Sequence, residues 1–215
     1  MYLNNFSVRI PEGQELAGGY VEMEHGQQYR LVVRNSQSDR CDARIEVDGK
    51  HVGTWRIERH RSITLERPAH DAGRFTFYRV GTVEARQAGL AEGDPNLGLV
   101  RVVFTPERRR EPAVVPDYLV DPFVTSSLRP RRYDRFHGVR ELTESAGEGV
   151  ASASGYSAGG TGLSGHSQQW FGQADEIEYD YSRQTVVHLR LVARGNTATV
   201  RSLTSFSTPV PPAVG

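Results

Sequence analysis

Between residues 41 and 57 the chain alternates as a strand pair does. Ala43, Ile45 and Val47 take every second position against Arg44, Glu46 and Asp48, and a second run leads through Val52 and Trp55 to Ile57. Period-two alternation turns one face of each strand to a core and the other to water. Between the two runs, Asp48-Gly49 supplies the positive φ angles of a tight hairpin turn. Similar signals recur on both sides: residues 6–10 stop at Pro11-Glu12-Gly13, residues 20–23 end before Gly26, and residues 29–34 end in the polar loop 35–39. Further strands are predicted at 63–65, 75–78 and 97–104, and residues 82–90 fit either one short helix or a bulged strand. Strands arriving at intervals of about ten residues with turns between them predict an all-β, jelly-roll-like antiparallel β-sandwich.

After Thr105-Pro106 the pattern breaks. Residues 107–140 hold four prolines and two arginine groups, Arg108-Arg109-Arg110 and Arg129-Pro130-Arg131-Arg132, with only short apolar clusters around Tyr118 and Phe123. Residues 145–169 are rich in glycine and serine, a composition that buries too little apolar surface to order itself. Alternation returns at Ile177 and Tyr179, strengthens over 185–192, and turns at Gly195-Asn196 into 197–201 before Pro209 to Pro212 close the pattern. The expected organisation is a main sandwich block over 1–105, an extended arm and Gly/Ser-rich insertion over 106–175, and C-terminal strands over 176–215 that complete the same sandwich.

Composition narrows the function. Twenty-six basic and 26 acidic residues cancel, so no global field draws the chain to nucleic acid or an anionic membrane. Lys50 is the one lysine among the basic residues, which reads either as a codon or genome bias or as a pointer to assembly, since arginine suits protein interfaces better than lysine does. The single cysteine, Cys41, cannot form an internal disulfide and reads as a small buried hydrophobe. Residues 1–5 lack the basic start and apolar run of a signal peptide, and no stretch has the apolar length of a membrane helix. The expected setting is a cytoplasmic assembly or a virion.

Several motifs carry possible chemistry. Gly155-Tyr156-Ser157-Ala158-Gly159 matches the nucleophile elbow of hydrolases, with Asp175 and His188 following in hydrolase order, but neither a good strand before it nor a helix after it is predicted. Gly160-Thr161-Gly162-Leu163-Ser164-Gly165 matches a dinucleotide fingerprint and lacks its flanks in the same way. The histidines, at 25, 51, 60, 70, 137, 166 and 188, show no metal-ligand spacing, so neither metal nor cofactor is expected. The arginine groups, with Tyr133 and Phe136 nearby, could grip phosphates, but Glu107, Glu111, Asp117, Asp121 and Asp134 are interspersed. Trp55, Trp170 and Phe171 suggest a sugar platform, a core tryptophan, or an anchor pinning the flexible tract to an apolar surface.

Residues 40–49, 52–57, 63–68 and 74–77, with Gly162-Leu163-Ser164-Gly165-His166-Ser167-Gln168-Gln169 later, resemble a poorly characterised β-sandwich module of virion proteins of tailed phages and large viruses, which also has bacterial relatives. The resemblance carries no catalytic residues and implies a capsid-associated or other assembly role. The expected function is therefore a structural assembly protein, a decoration (cement) or minor capsid protein that forms a homo-oligomer or joins a larger shell. Arg108, Arg109, Arg110, Arg129, Arg131 and Arg132 would be rim charges, and Tyr118, Phe123, Trp170 and Phe171 apolar anchors. A carbohydrate- or protein-binding module is the alternative, and a serine hydrolase at Ser157 a weaker one.

Overall fold

The alternating runs become strands in the computed structural model, which describes residues 1–109 and 156–194. Strands β1 (Tyr2–Leu3), β2 (Phe6–Arg9), β5 (Leu31–Asn35) and β8 (Ser62–Leu65) form one antiparallel sheet in the order β1-β2-β5-β8. The other sheet runs β3-β4-β12-β10-β6-β7, from β3 (Gln14–Glu15), β4 (Tyr20–Met23), β6 (Cys41–Val47), β7 (Lys50–Ile57), β10 (Leu99–Pro106) and β12 (Thr185–Arg194). The predicted hairpin is β6–β7: Val47 pairs with Lys50 across a two-residue loop, and Asp48 and Gly49 both have positive φ, at 49° and 74°. Two positive angles in succession define the turn whose twist matches that of the strands.

Register explains the core. Val102 sits opposite Ile45 on one side and Val187 on the other, and Val100 opposite Val47 and Leu189, so three strands send their apolar positions to one face. Phe104, opposite the small Ala43, stacks on Phe6 of the other sheet with ring centroids 4.4 Å apart. Both rings are fully buried, each removing apolar area worth about 1.5–3 kcal/mol. The shared core of both sheets includes Val8, Leu31, Val33, Cys41, Leu65 and Leu191, which makes the all-β arrangement sandwich-like.

Three expectations change and one open choice is decided. The Gly/Ser stretch orders where it is described: β11 (Tyr156–Ser164) begins against β12, with Tyr156 opposite Arg194, then crosses to pair with β9 (Arg74–Arg79) from Gly159 to Ser164. So residues 156–164 belong to the sandwich rather than to an insertion over 106–175. The expectation failed because it counted only the stretch's own side chains. The ordering surface comes from its neighbours, since the glycines let the strand lie against Phe77 and Tyr78. The sheet is also not purely antiparallel, because β12 pairs parallel with β4; strands so distant in sequence need no tight turn between them. Residues 177–180 make one bridge, Glu107 to Tyr179, instead of a strand. Within 82–90 the helix wins: α1 (Val83–Gln87) is capped by the Thr82 hydroxyl, which accepts the Ala85 N–H, and buries Ala85 against Leu90 and Leu97. The expected 197–201 strand lies outside the described residues, as do Arg110, Tyr118, Phe123, Arg129, Arg131 and Arg132.

Candidate functional site

From Gly165 the chain leaves β11 and lies over the sandwich as an irregular strap. Gln169 holds it to the edge of β8, accepting the Glu66 backbone N–H through Oε1 at 2.9 Å and donating through Nε2 to the Thr64 carbonyl at 2.6 Å. In effect one side-chain amide completes the edge hydrogen bonding of a strand. Ser167 adds a backbone N–H to the Ala72 carbonyl and a hydroxyl to Glu66. Arg67 closes the clamp, donating to the Gln169 carbonyl from Nε and Nη2 and to the carbonyls of Pro68, Ala69 and Asp71 from Nη1.

The two predicted anchors then part company. Phe171 packs inward, edge-on to Trp55 at 5.5 Å and beneath the Arg67 guanidinium, 4.5 Å from its ring centroid. Trp170 is 83% exposed. One side of its indole lies over Gly172, where any side chain would come within 3.2 Å of the ring. Trp55 is only partly buried and meets Phe171 edge to face, so its ring serves the clamp.

Beyond Gly172 the strap borders a groove of about 630 Å³ lined by Trp55, Phe171, Asp175, Glu176 and Tyr179 among others. Its wall is a hydrogen-bonded set: Arg56 Nε donates to Asp42 at 2.5 Å, Tyr179 donates its hydroxyl to the same carboxylate at 2.7 Å, and Arg56 Nη2 reaches the Asp175 carbonyl at 2.7 Å. The hydrogen bond to Asp42 and burial together push the Tyr179 phenol up to about 12, so it remains a donor at any physiological pH. Asp175 and Glu176 are exposed along the rim, and Glu178 is exposed further along the strap.

Just past the end of β10, Arg109 joins a set of ion pairs with residues of the sandwich. Arg109 donates to Asp39 at 2.8 Å and to the Ser38 hydroxyl, Arg183 bridges Asp39 and Asp180, and Arg40 forms a two-point pair with Glu107. Burial opposes ionisation of Asp39, but Arg183 and Arg109 hold its carboxyl below the usual range. Arg108 is exposed and its backbone N–H donates to the Glu178 carbonyl. These bonds fix the point at which the chain leaves the described region.

A second groove, of about 520 Å³, lies between the hairpin tip, β11 and α1, lined by Asp48, Lys50, His51, Tyr78, Glu84 and Thr161 among others. Asp48 on its wall accepts the backbone N–H groups of Gly98 and Thr161, at 2.5 and 2.6 Å. No sequence signal marked this joint beyond its place in a turn.

The sequence motifs fall differently. Ser157 lies inside β11, with no strained turn at its backbone, and its hydroxyl donates to the Ala193 carbonyl. His188 is five residues from Ala193 along β12, about 16 Å at strand rise, so Ser157 and His188 are not partners. Gly160 and Gly162 sit in the same strand, where Gly162 lets the Tyr78 ring lie against the backbone. His188 faces Arg101 across the β12–β10 pairing, and burial first, then Arg101 and Arg190, lower its pKa. Among the described residues no group of three or more His, Cys, Asp or Glu side chains is placed to hold a metal, and no helix is long and apolar enough to cross a membrane.

Comparison of the chain with protein-family models, with curated proteins and with solved structures returns no match.

Proposed function

We propose that this chain is a structural assembly protein, a jelly-roll-like subunit of the virion decoration (cement) or minor-capsid kind, which grips a neighbouring subunit through Trp170. The observation that carries the reading is a tryptophan 83% exposed on a strap held by Arg67, Gln169 and Phe171. An exposed tryptophan is among the side chains that most often dominate a protein interface, and a strap backbone already held at Gln169 lowers the ordering cost of binding. The resemblance to virion modules points the same way, and the arginine-rich arm supplies rim charges.

The test is Trp170→Ala in the full chain, followed by native mass spectrometry and negative-stain microscopy at tens of micromolar. Loss of assembly with an unchanged unfolding midpoint is expected. Assembly indifferent to the substitution, or a wild type that stays monomeric across the concentration range, overturns the reading. A deletion probing the arm must stop before Tyr156, because removing β11 takes a strand from the sandwich and abolishes more than assembly.

A further inference from the structure

The surface around Trp170 has a specific chemistry. The indole stands exposed with Gly172 beneath it, and a few residues further along the strap the exposed Asp175 and Glu176 line a groove with Trp55, Phe171 and Tyr179. Aromatic faces bordered by carboxylates suit the guanidinium group: its plane stacks on a ring while its N–H groups reach the carboxylates. A few residues away, Arg67 over Phe171 holds a guanidinium on an aromatic ring in the same manner.

The sequence supplies a ligand of that chemistry. Arg129-Pro130-Arg131-Arg132 places three guanidinium groups within four residues, and it is separated from Arg109 by some twenty residues, which at full extension span about 65 Å. That length exceeds the roughly 40 Å diameter of a domain of this size, so the segment can reach another molecule. With 26 basic and 26 acidic residues the copies do not repel one another. We infer that the Trp170 surface of one copy binds the Arg129-Pro130-Arg131-Arg132 segment of a second copy. This rests on the assembly reading and names the partner.

The experiment uses a labelled peptide of residues 126–136 and, as receptor, the full chain carrying R129A, R131A and R132A, so that its own segment does not compete. Fluorescence anisotropy measures binding, and sedimentation velocity of wild type and triple variant measures self-association. Expected are saturable binding weakened roughly tenfold by Trp170→Ala in the receptor, a comparable loss when lysines replace the peptide's arginines, and self-association in wild type that the triple variant lacks. Circular dichroism confirms that each receptor is folded. Peptide binding indifferent to Trp170→Ala, or no binding, overturns the inference. If the peptide fails but wild type still assembles through Trp170, the assembly reading survives and the docked partner is another surface. Trp170-dependent peptide binding with a monomeric wild type shows that the segment docks on its own chain, which overturns the second copy and the assembly reading together.

Discussion

Replacing Asp48 by asparagine removes a charge and one acceptor from the joint of three chain segments. The carboxylate accepts the Gly98 and Thr161 backbone N–H groups, so the β6–β7 hairpin, the turn before β10 and β11 all meet on one side chain. Although the residue is partly exposed, its carboxylate is turned inward onto those amides. Burial pushes the carboxyl up to about 6, against the two amides and Lys50, which favour the anion. In an unfolded chain it would titrate near 3.9. Because the folded value is the higher one, the native state binds more protons between about pH 4 and pH 6, and stability falls as pH rises through that window. A difference of about 2 in pKa corresponds to about 3 kcal/mol, fully present below about pH 4 and lost above about pH 6.

Asparagine does not titrate, so the wild-type advantage over Asp48→Asn should shrink by about 3 kcal/mol from pH 4 to pH 7. Urea unfolding of both proteins, followed by tryptophan fluorescence at each pH, reads that difference directly because the other titrating groups cancel in the subtraction. A difference that stays flat to within about 1 kcal/mol would refute the burial argument. One that grows with pH would show that the two amide hydrogen bonds outweigh desolvation and that the anion is the stabilised form.

Gly162→Val should lower stability by about 1–3 kcal/mol, since a Cβ there falls 2.5 Å from the Tyr78 ring and 2.9 Å from Ala88 Cβ; an unchanged melting temperature would mean that β11 packs more loosely than described. Burial pushes the Cys41 thiol up to about 12, so native protein should resist thiol reagents at pH 8 and react in urea, whereas immediate labelling of folded protein would contradict its place in the core. Arg67→Lys keeps the charge but loses the fork that makes five hydrogen bonds to four carbonyls, and should expose residues 165–180 to limited proteolysis while the sandwich core stays intact. Protection equal to wild type would assign the clamp to Ser167, Gln169 and Phe171 without Arg67.

The hairpin, most strands and the burial of Cys41 were legible because period-two alternation is local and Asp48-Gly49 has a single cheap geometry. What escaped depends on distant residues. A run of glycines reads as linker until Phe77 and Tyr78 are seen lying on it, and the partners of β11 are some 80 residues upstream in β9. Arg190 sits among Leu189, Leu191 and Val192, and nothing local distinguishes it from a solvent-facing arginine. In the fold it is fully buried, donating to the carbonyls of Leu97 and Pro95, with its pKa brought down to about 10 mainly by burial; it is still charged at neutral pH and fixes the turn before β10. Likewise Trp170-Phe171 reads as one apolar pair, and only the position of Arg67, a hundred residues earlier, decides which ring turns in.

That division changes what the assembly reading rests on. If a glycine-rich strand orders on its own sheets, poverty of apolar side chains over 145–169 is no argument that the stretch needs a neighbour's surface. What remains is more specific. The strap is held by backbone and amide hydrogen bonds, an inward Phe171 and a stacked guanidinium, none of which requires Trp170 to be tryptophan. Leaving a side chain of that size 83% exposed forgoes most of the stabilisation its burial would bring, about 25 cal/mol per Å². The fold packs the neighbouring Phe171 inward and leaves Trp170 out, and on the assembly reading the return for that exposure comes from a surface outside the sandwich.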